Sequence, residues 1–434
     1  MSLRSLLVDT KDKTRSGFVW NTASSGLFAL QSLVMLIVTQ HVLGSDVAGI
    51  LVLAQAISFL LGCVGTFGVA RFQASDVTRR FSLAEYAAAR VVTVVAMWAA
   101  AVIVLLWRAG HYGTQEVVVI VLMTLLKTVD VTDDVVANFF TQHGRIYIGA
   151  RLTAIRYIVL LLVFSIGVIQ TRNLTTALCI TLVASVAVFA GLASLVLPQF
   201  VTSDERRIRL RQAFTLIGAC VPMFISWFLT AYINNAPKYA IDAVSDNTSQ
   251  AIFGFLATPT FVVSLVAQFM FNPLVYRYSV AWSEARVHDL WRSVARMVLS
   301  IIGIGIAVCG VGFAVGLPVL SWLYGVDLYS YRAIFMILLV AGTSTALVMF
   351  LYTILTIMRR QTQMAIGFGV VSLAALLGGA EMVRAWGILG AALLYLSAAT
   401  LLVVYFAVVA AWSMARRRDL PSVSPSGFEP PLQP

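Results

Sequence analysis

Apolar and polar positions in this chain alternate in long blocks. Twelve apolar runs recur, at 17–42, 47–70, 85–107, 115–138, 149–170, 174–198, 213–234, 251–272, 294–319, 329–357, 363–383 and 386–412. Each is long enough to cross a hydrocarbon core of about 30 Å as a helix. The first run is too long for a signal-peptide core and reads as a retained span. The connections are short, the longest outward one being expected around Asn235 to Gln250, and none has room for a soluble domain. The pattern predicts an all-α polytopic membrane protein with twelve transmembrane helices. A basic connection after the sixth run suggests two six-helix lobes, 1–202 and 203–415, around a central cavity and related by an axis along the membrane normal. Residues 416–434, with five prolines after Arg418, read as a disordered cytoplasmic tail.

Charge orients these spans. Of the 30 Lys and Arg, 24 lie at the amino terminus, in the even-numbered connections or at the carboxy-terminal end. Arg71, Arg79, Arg80 and Arg90 form one such group, and Arg206, Arg207, Arg209 and Arg211 another. The odd-numbered connections hold only Arg108, Arg172, Lys238, Arg332 and Arg384, and Lys127 sits inside a span. Cationic loops resist translocation, so both termini are expected in the cytoplasm. A composition that is 60% hydrophobic and 11% charged excludes an ordinary soluble domain, and clustered cations at span ends make anionic lipid, not nucleic acid, the partner of the +11 charge. Cys63, Cys179, Cys220 and Cys309 lie in apolar runs without C-x-x-C spacing, and the four histidines are scattered. No metal site or catalytic centre is expected, and the chain is not read as an enzyme.

The chemistry concentrates in the fourth run. Lys127, Asp130, Asp133 and Asp134 in one span would cost about 10 kcal/mol against lipid. Helical spacing puts Thr124, Lys127, Asp130 or Val131, Asp134 and Asn138 on one stripe, with Lys127 and Asp130 paired at i,i+3. The stripe is either an internal salt-bridge network or the wall of a hydrated cavity. The excess of carboxylates over the single cation favours the cavity. The first run carries a milder polar stripe containing Asn21, Ser24 or Ser25, and Gln31 or Ser32, which lines a cavity or joins helices. Gly62, Gly65 and Gly68 are spaced for close helix packing. Pro222 and Pro259 fall inside the seventh and eighth spans, where each favours a bend and is a candidate hinge. Asn234, Asn235 and Lys238 mark a polar exit from the seventh span, with sugar or phosphate contact as one role and simple solvation as the other.

Three stretches carry a resemblance: Phe72-Gln73-Ala74-Ser75-Asp76-Val77 with Phe81, Ser82 and Tyr86; Lys127-x-x-Asp130-x-x-x-Asp134 continuing to Gln142-His143-Gly144-Arg145; and Asn235 to Asp242 with Gly254, Pro259 and Pro273 beyond. At these segments the chain resembles the polysaccharide flippases of the multidrug/oligosaccharidyl-lipid/polysaccharide exporter superfamily. The resemblance implies export of a polyprenyl-diphosphate-linked oligosaccharide across a bacterial cytoplasmic membrane by alternating access. It also implies polysaccharide polymerase and glycosyltransferase partners. On that reading Lys127, Arg71, Arg151 and Arg156 would meet the diphosphate, while Arg90 is read as an ordinary topology signal. The alternative in the same superfamily is a small-molecule exporter driven by a proton or sodium ion, with Asp130 and Asp134 as coupling carboxylates. A membrane enzyme of polysaccharide assembly is disfavoured because no outward loop is large enough to carry a catalytic centre.

Overall fold

The computed structural model describes residues 7, 8, 10, 12–76 and 79–418; the proline-rich tail expected to be disordered lies almost wholly outside them. Among the described residues the chain is helical throughout, with no strand. In order, the helices are α1 (Lys13–Leu43), α2 (Ser45–Thr66), α3 (Val69–Ser75), α4 (Leu83–Trp107), α5 (Thr114–Gln142), α6 (Ile146–Thr171), α7 (Leu174–Val196) and α8 (Leu210–Val244). They continue as α9 (Asn247–Phe271), α10 (Val275–Ser283), α11 (Val287–Val311), α12 (Leu317–Tyr324), α13 (Arg332–Ile357), α14 (Gln361–Trp386) and α15 (Ile388–Arg418). Eleven segments are long and apolar enough to cross a membrane, α11 and α12 forming one of them through a π-turn at Gly312–Gly316. The twelfth span is α5, whose charged residues disguise it by composition. This is a twelve-span, multi-pass membrane protein.

Helix ends follow local chemistry. Ser82 opens α4 with the expected capping box: its hydroxyl accepts from the Glu85 amide at 3.1 Å, and its own amide donates to the Glu85 carboxylate at 3.0 Å. The second span stops at Thr66, earlier than its apolar run, because Phe67 and Gly68 both adopt left-handed backbone and turn the chain into the short α3. Phe67 stacks on Phe224 of α8 at 4.2 Å between ring centroids, a contact that can hold the strained φ of 48°. The inward connection after α9 is not a loop, since it folds into the short amphipathic α10 and α11 starts at Val287.

One connection differs from expectation. The outward loop placed at Asn235–Gln250 is helix: α8 runs to Val244, leaving Ser245 and Asp246 as the turn into α9. Polar residues here satisfy one another on the helix. Asn235 donates to the Ala231 carbonyl at 3.0 Å and accepts from Lys238 at 3.2 Å, while Tyr239 donates to the Ala56 carbonyl at 2.8 Å. Pro237 lies inside this helix and removes one backbone bond, as prolines in spanning helices do. Pro222 and Pro259 also lie within unbroken helices, each removing one backbone bond.

Packing groups α1, α2, α4, α5, α6 and α7 together, with α1 against α6 and α2 against α5; α13 meanwhile packs on α9, α11 and α15, and α14 on α8 and α15. The two groups meet where α2 crosses α8 and α9. Glycine permits that approach: a Cβ on Gly49 would stand 1.8 Å from the Asn247 carbonyl oxygen, and one on Gly254 2.7 Å from Val52. The Asn247 backbone cannot yield as a side chain tip could. The charge pattern predicts Ser245 on the outside and Asp204 on the inside. A reporter inserted at Ser245 should therefore report the outside, and reporters near Asp204 or after Arg418 the cytoplasm; a swap of any site would overturn the orientation.

Candidate functional site

The ionisable residues of α5 form a compensated cluster with α6. Lys127 Nζ stands 2.7 Å from Asp130 Oδ2, the expected i,i+3 pair. The other Asp130 oxygen lies 2.8 Å from the Arg156 guanidinium, off the hydrogen-bonding axis. Arg156 Nε donates to Asp133 Oδ2 at 3.2 Å, and the same oxygen accepts the Thr153 hydroxyl at 2.9 Å. Ser185 of α7 lies 3.4 Å from Arg156 Nη1, and the guanidinium stands 4.6 Å from the Tyr157 ring centroid. Arg156 lies ten residues into α6, about 15 Å along the axis. That depth, with a side chain 2% exposed, removes it from the membrane surface.

This corrects two expectations. The carboxylate excess of α5 is offset from neighbouring helices, Arg156 of α6 pairing with both Asp130 and Asp133. Arg156 is buried in ion pairs and does not stand free for a diphosphate. Arg90 is a third correction: it is no surface topology signal but is 2% exposed. Its guanidinium donates to the Gly65 carbonyl, which also accepts the Thr93 hydroxyl at 2.7 Å, and it is electrostatically coupled to Asp134 across the α4–α5 contact. Two cations, Lys127 and Arg156, thus pair with Asp130 and Asp133, and Arg90 is a third buried cation nearby that makes no ion pair among the described residues. Asp133, Thr153, Ser185 and Arg90 were missed as site residues; the depth of Arg156 within its run was the one available signal.

Other expected residues divide into two sets. Asn21 and Ser25 are exposed on a stripe of α1 with Phe28 and Ser32. Ser32 donates to Gln55 of α2 at 2.6 Å, and the Phe28 ring lies 5.1 Å from Lys127 Nζ. This stripe lies beside Lys127, which at 15% side-chain exposure is the most accessible member of the ion-paired cluster. Ser24 and Gln31, on the other face of α1, are buried. Asn138 turns back to the Asp134 carbonyl at 2.7 Å. Arg71 stands 4.3 Å from the Trp227 ring centroid, and Arg151 5.3 Å from Trp20 with Ser16 at 3.4 Å. Asn234 is exposed, whereas Asn235 and Lys238 belong to the α8 interior and form no exit loop. Gly62 and Gly65 of α2 make room for the cluster, a Cβ at Gly62 falling 3.3 Å from the Lys127 stem.

The outer ends of the two helix groups are tied together. Arg108 pairs with Asp242 at 2.6 Å, Tyr112 donates to the same carboxylate at 2.9 Å, and Asn247 donates to Glu116 at 2.8 Å. Burial, reinforced by the Asp242 charge, pushes the Tyr112 phenol above its ordinary pKa and keeps it a donor.

No family model and no curated protein matches this chain. Solved structures do. An inward-facing multidrug resistance MATE family transporter of the MOP superfamily is similar with a TM-score of 0.62 at 15% identity, over 98% of this chain and 97% of that one. A eukaryotic MATE transporter gives 0.62 at 13% identity, over 94% and 98%. A MOP superfamily transporter from Pyrococcus furiosus, described by a reverse polarity of its binding pocket, gives 0.58 at 15% identity, over 96% and 98%. At this identity the likeness shows the fold. The chain has the two-lobed, twelve-helix fold of these transporters.

The cluster predicts unequal effects of losing its cations. Arg156→Met strands Asp133 and half of Asp130, and should cost roughly 3–5 kcal/mol, read as loss of membrane-inserted protein. Lys127→Met leaves Asp130 beside Arg156, and the protein level should stay near that of the unmodified chain. Equal levels for both variants in a detergent-stability assay would overturn this ranking.

Proposed function

We propose that the chain is an alternating-access exporter of small organic cations, coupled to a proton or sodium ion, with Lys127 and Asp130 as the working pair. The observation that carries this reading is the sharing of Asp130. Its fixed partner Arg156 is 2% exposed, while its second partner Lys127, at 15%, is the more accessible of the two. A cation arriving along the Asn21, Ser25 and Ser32 face of α1 has only Lys127 to displace. Arg156 and Asp133 stay paired, so the scaffold survives each exchange. The outer ties at Arg108–Asp242 and Glu116–Asn247 are contacts that outward opening must break. The multidrug transporters that share the fold support the same class.

The second reading is the lipid-linked oligosaccharide flippase implied by the sequence resemblance, with polymerase and glycosyltransferase partners. The basic face of the chain favours it. The cations it needs within the spans are engaged, however: Lys127 by Asp130, and Arg156 by Asp130 and Asp133.

Proteoliposomes separate the two. With an imposed proton or sodium gradient, the protein should drive efflux of a cationic dye. Asp130→Asn should lower that efflux at least about tenfold, the loss of one charge-assisted contact of about 1.5–3 kcal/mol. Inserted protein should be retained, because Arg156 keeps its bonds to Asp133. Failure to move the dye, together with translocation of a fluorescent polyprenyl-diphosphate saccharide, would overturn this reading and establish the second.

A further inference from the structure

A cavity lies in the second half of the molecule, on the arginine-rich face. It encloses about 700 Å³ between α10, the α13–α14 turn and the end of α15, and is lined by Ser279, Trp282, Ser283, Arg359, Arg360, Ser413 and Arg416. Three arginines converge there, and none makes an ion pair with a carboxylate among the described residues. The one acid of the neighbouring α10–α11 turn, Glu284, is taken by Arg286 at 2.6 Å. Arg360 and Arg416 stand 5.1 and 5.4 Å from the Trp412 ring centroid, so one indole positions both guanidiniums. Arg359 adopts a left-handed φ of 56° in a turn closed by the Arg360 amide on the Leu355 carbonyl. An arginine held in that strained conformation, where glycine would be free of it, points to selection for the side chain.

The independent observation is Ser413. It is 1% exposed, lines this cavity, and its hydroxyl has no hydrogen-bond partner. A buried hydroxyl without a partner costs free energy unless a ligand or water completes it. Three guanidiniums without a carboxylate partner among the described residues and an unsatisfied hydroxyl form a donor set suited to phosphate oxygens, while Ser279 and Ser283 donate to the Val275 and Val280 carbonyls.

We propose that this cavity binds the phosphate of an anionic phospholipid headgroup. The position argues for lipid as the source. The cavity lies at the level of the span ends, beside the amphipathic α10, whose Tyr276 is 78% exposed. Trp282 and Trp412 stand where indoles sit at a membrane interface. Basic pockets between helices at that level take phospholipid headgroups. The site is separate from the α5–α6 cluster and independent of any cargo.

The test uses full-length protein in zwitterionic nanodiscs with added phosphatidylglycerol or cardiolipin, reading retained lipid by native mass spectrometry. Each arginine should contribute about fivefold, so Arg359→Gln/Arg360→Gln/Arg416→Gln should weaken retention on the order of 100-fold. The triple Lys variant should keep much of the binding, and Ser413→Ala should weaken it modestly. A control of equal charge loss, Arg206→Gln/Arg209→Gln/Arg211→Gln, should retain lipid nearly as the unmodified protein does. Equal loss in control and cavity variants would overturn the proposal in favour of diffuse surface attraction. Glycerol phosphate and inorganic phosphate form the second arm. Their failure to displace lipid at millimolar concentration supports the lipid source, whereas saturable binding of them with no lipid preference would overturn it.

Discussion

Everything in the first half of this molecule turns on the cost of holding charge in a membrane. Four ionisable residues on α5 cannot face lipid, and they cannot be buried without compensation. The fold answers with Arg156, placed deep in α6 between Asp130 and Asp133, and with a further buried cation, Arg90 of α4, held on the Gly65 carbonyl. Those demands set the arrangement of neighbouring helices. The α2 helix has to come close enough for Lys127 to lie across Gly62, and Gly65 has to be free of a Cβ that would strike Met97 sulfur at 2.8 Å. The Gly65 carbonyl then serves Arg90 and Thr93. Helix packing and charge compensation are one constraint here, because each requires the other.

The twelve spans and their order were legible in the sequence, since span length and loop charge report directly on hydrocarbon thickness and translocation cost. The Lys127–Asp130 pair was legible too, being set by helical spacing within one element. What sequence could not supply was the partner from another helix. Arg156 and Asp133 are 23 residues apart in the chain, and no periodicity links them. The exit loop at Asn235–Lys238 failed for a related reason. Asparagine, proline and lysine together have the composition of a turn, but in a membrane they can be satisfied along one helix and by the adjacent α2. Composition describes what a segment needs; the neighbours decide where it is met.

The two halves answer the same membrane with different chemistry. The second half is built around apolar clusters, such as the one joining Phe271, Phe350, Phe368 and Phe406, and among the described residues its deepest cation is Lys238. The first half holds a balanced set of charges. A pair of lobes that rock against each other need not share the task equally. On the proposed alternating-access reading, the apolar half would move as a packed body while the charged half changes occupancy at one carboxylate.

That division also explains why a balanced cluster is compatible with transport. A buried carboxylate with no cation would be neutralised or would unfold its surroundings. A carboxylate with only fixed cations would be inert, because displacing a buried guanidinium strands its other partners. On the proposed reading Asp130 sits between these limits, with Arg156 as its fully buried partner and Lys127 as the more accessible one. Such a group can exchange its second partner at modest cost while the first keeps the helix pair intact. Arg156 is therefore best regarded as the positioning residue of the site, and its own pairing with Asp133 is what lets Asp130 change partners without loss of the fold.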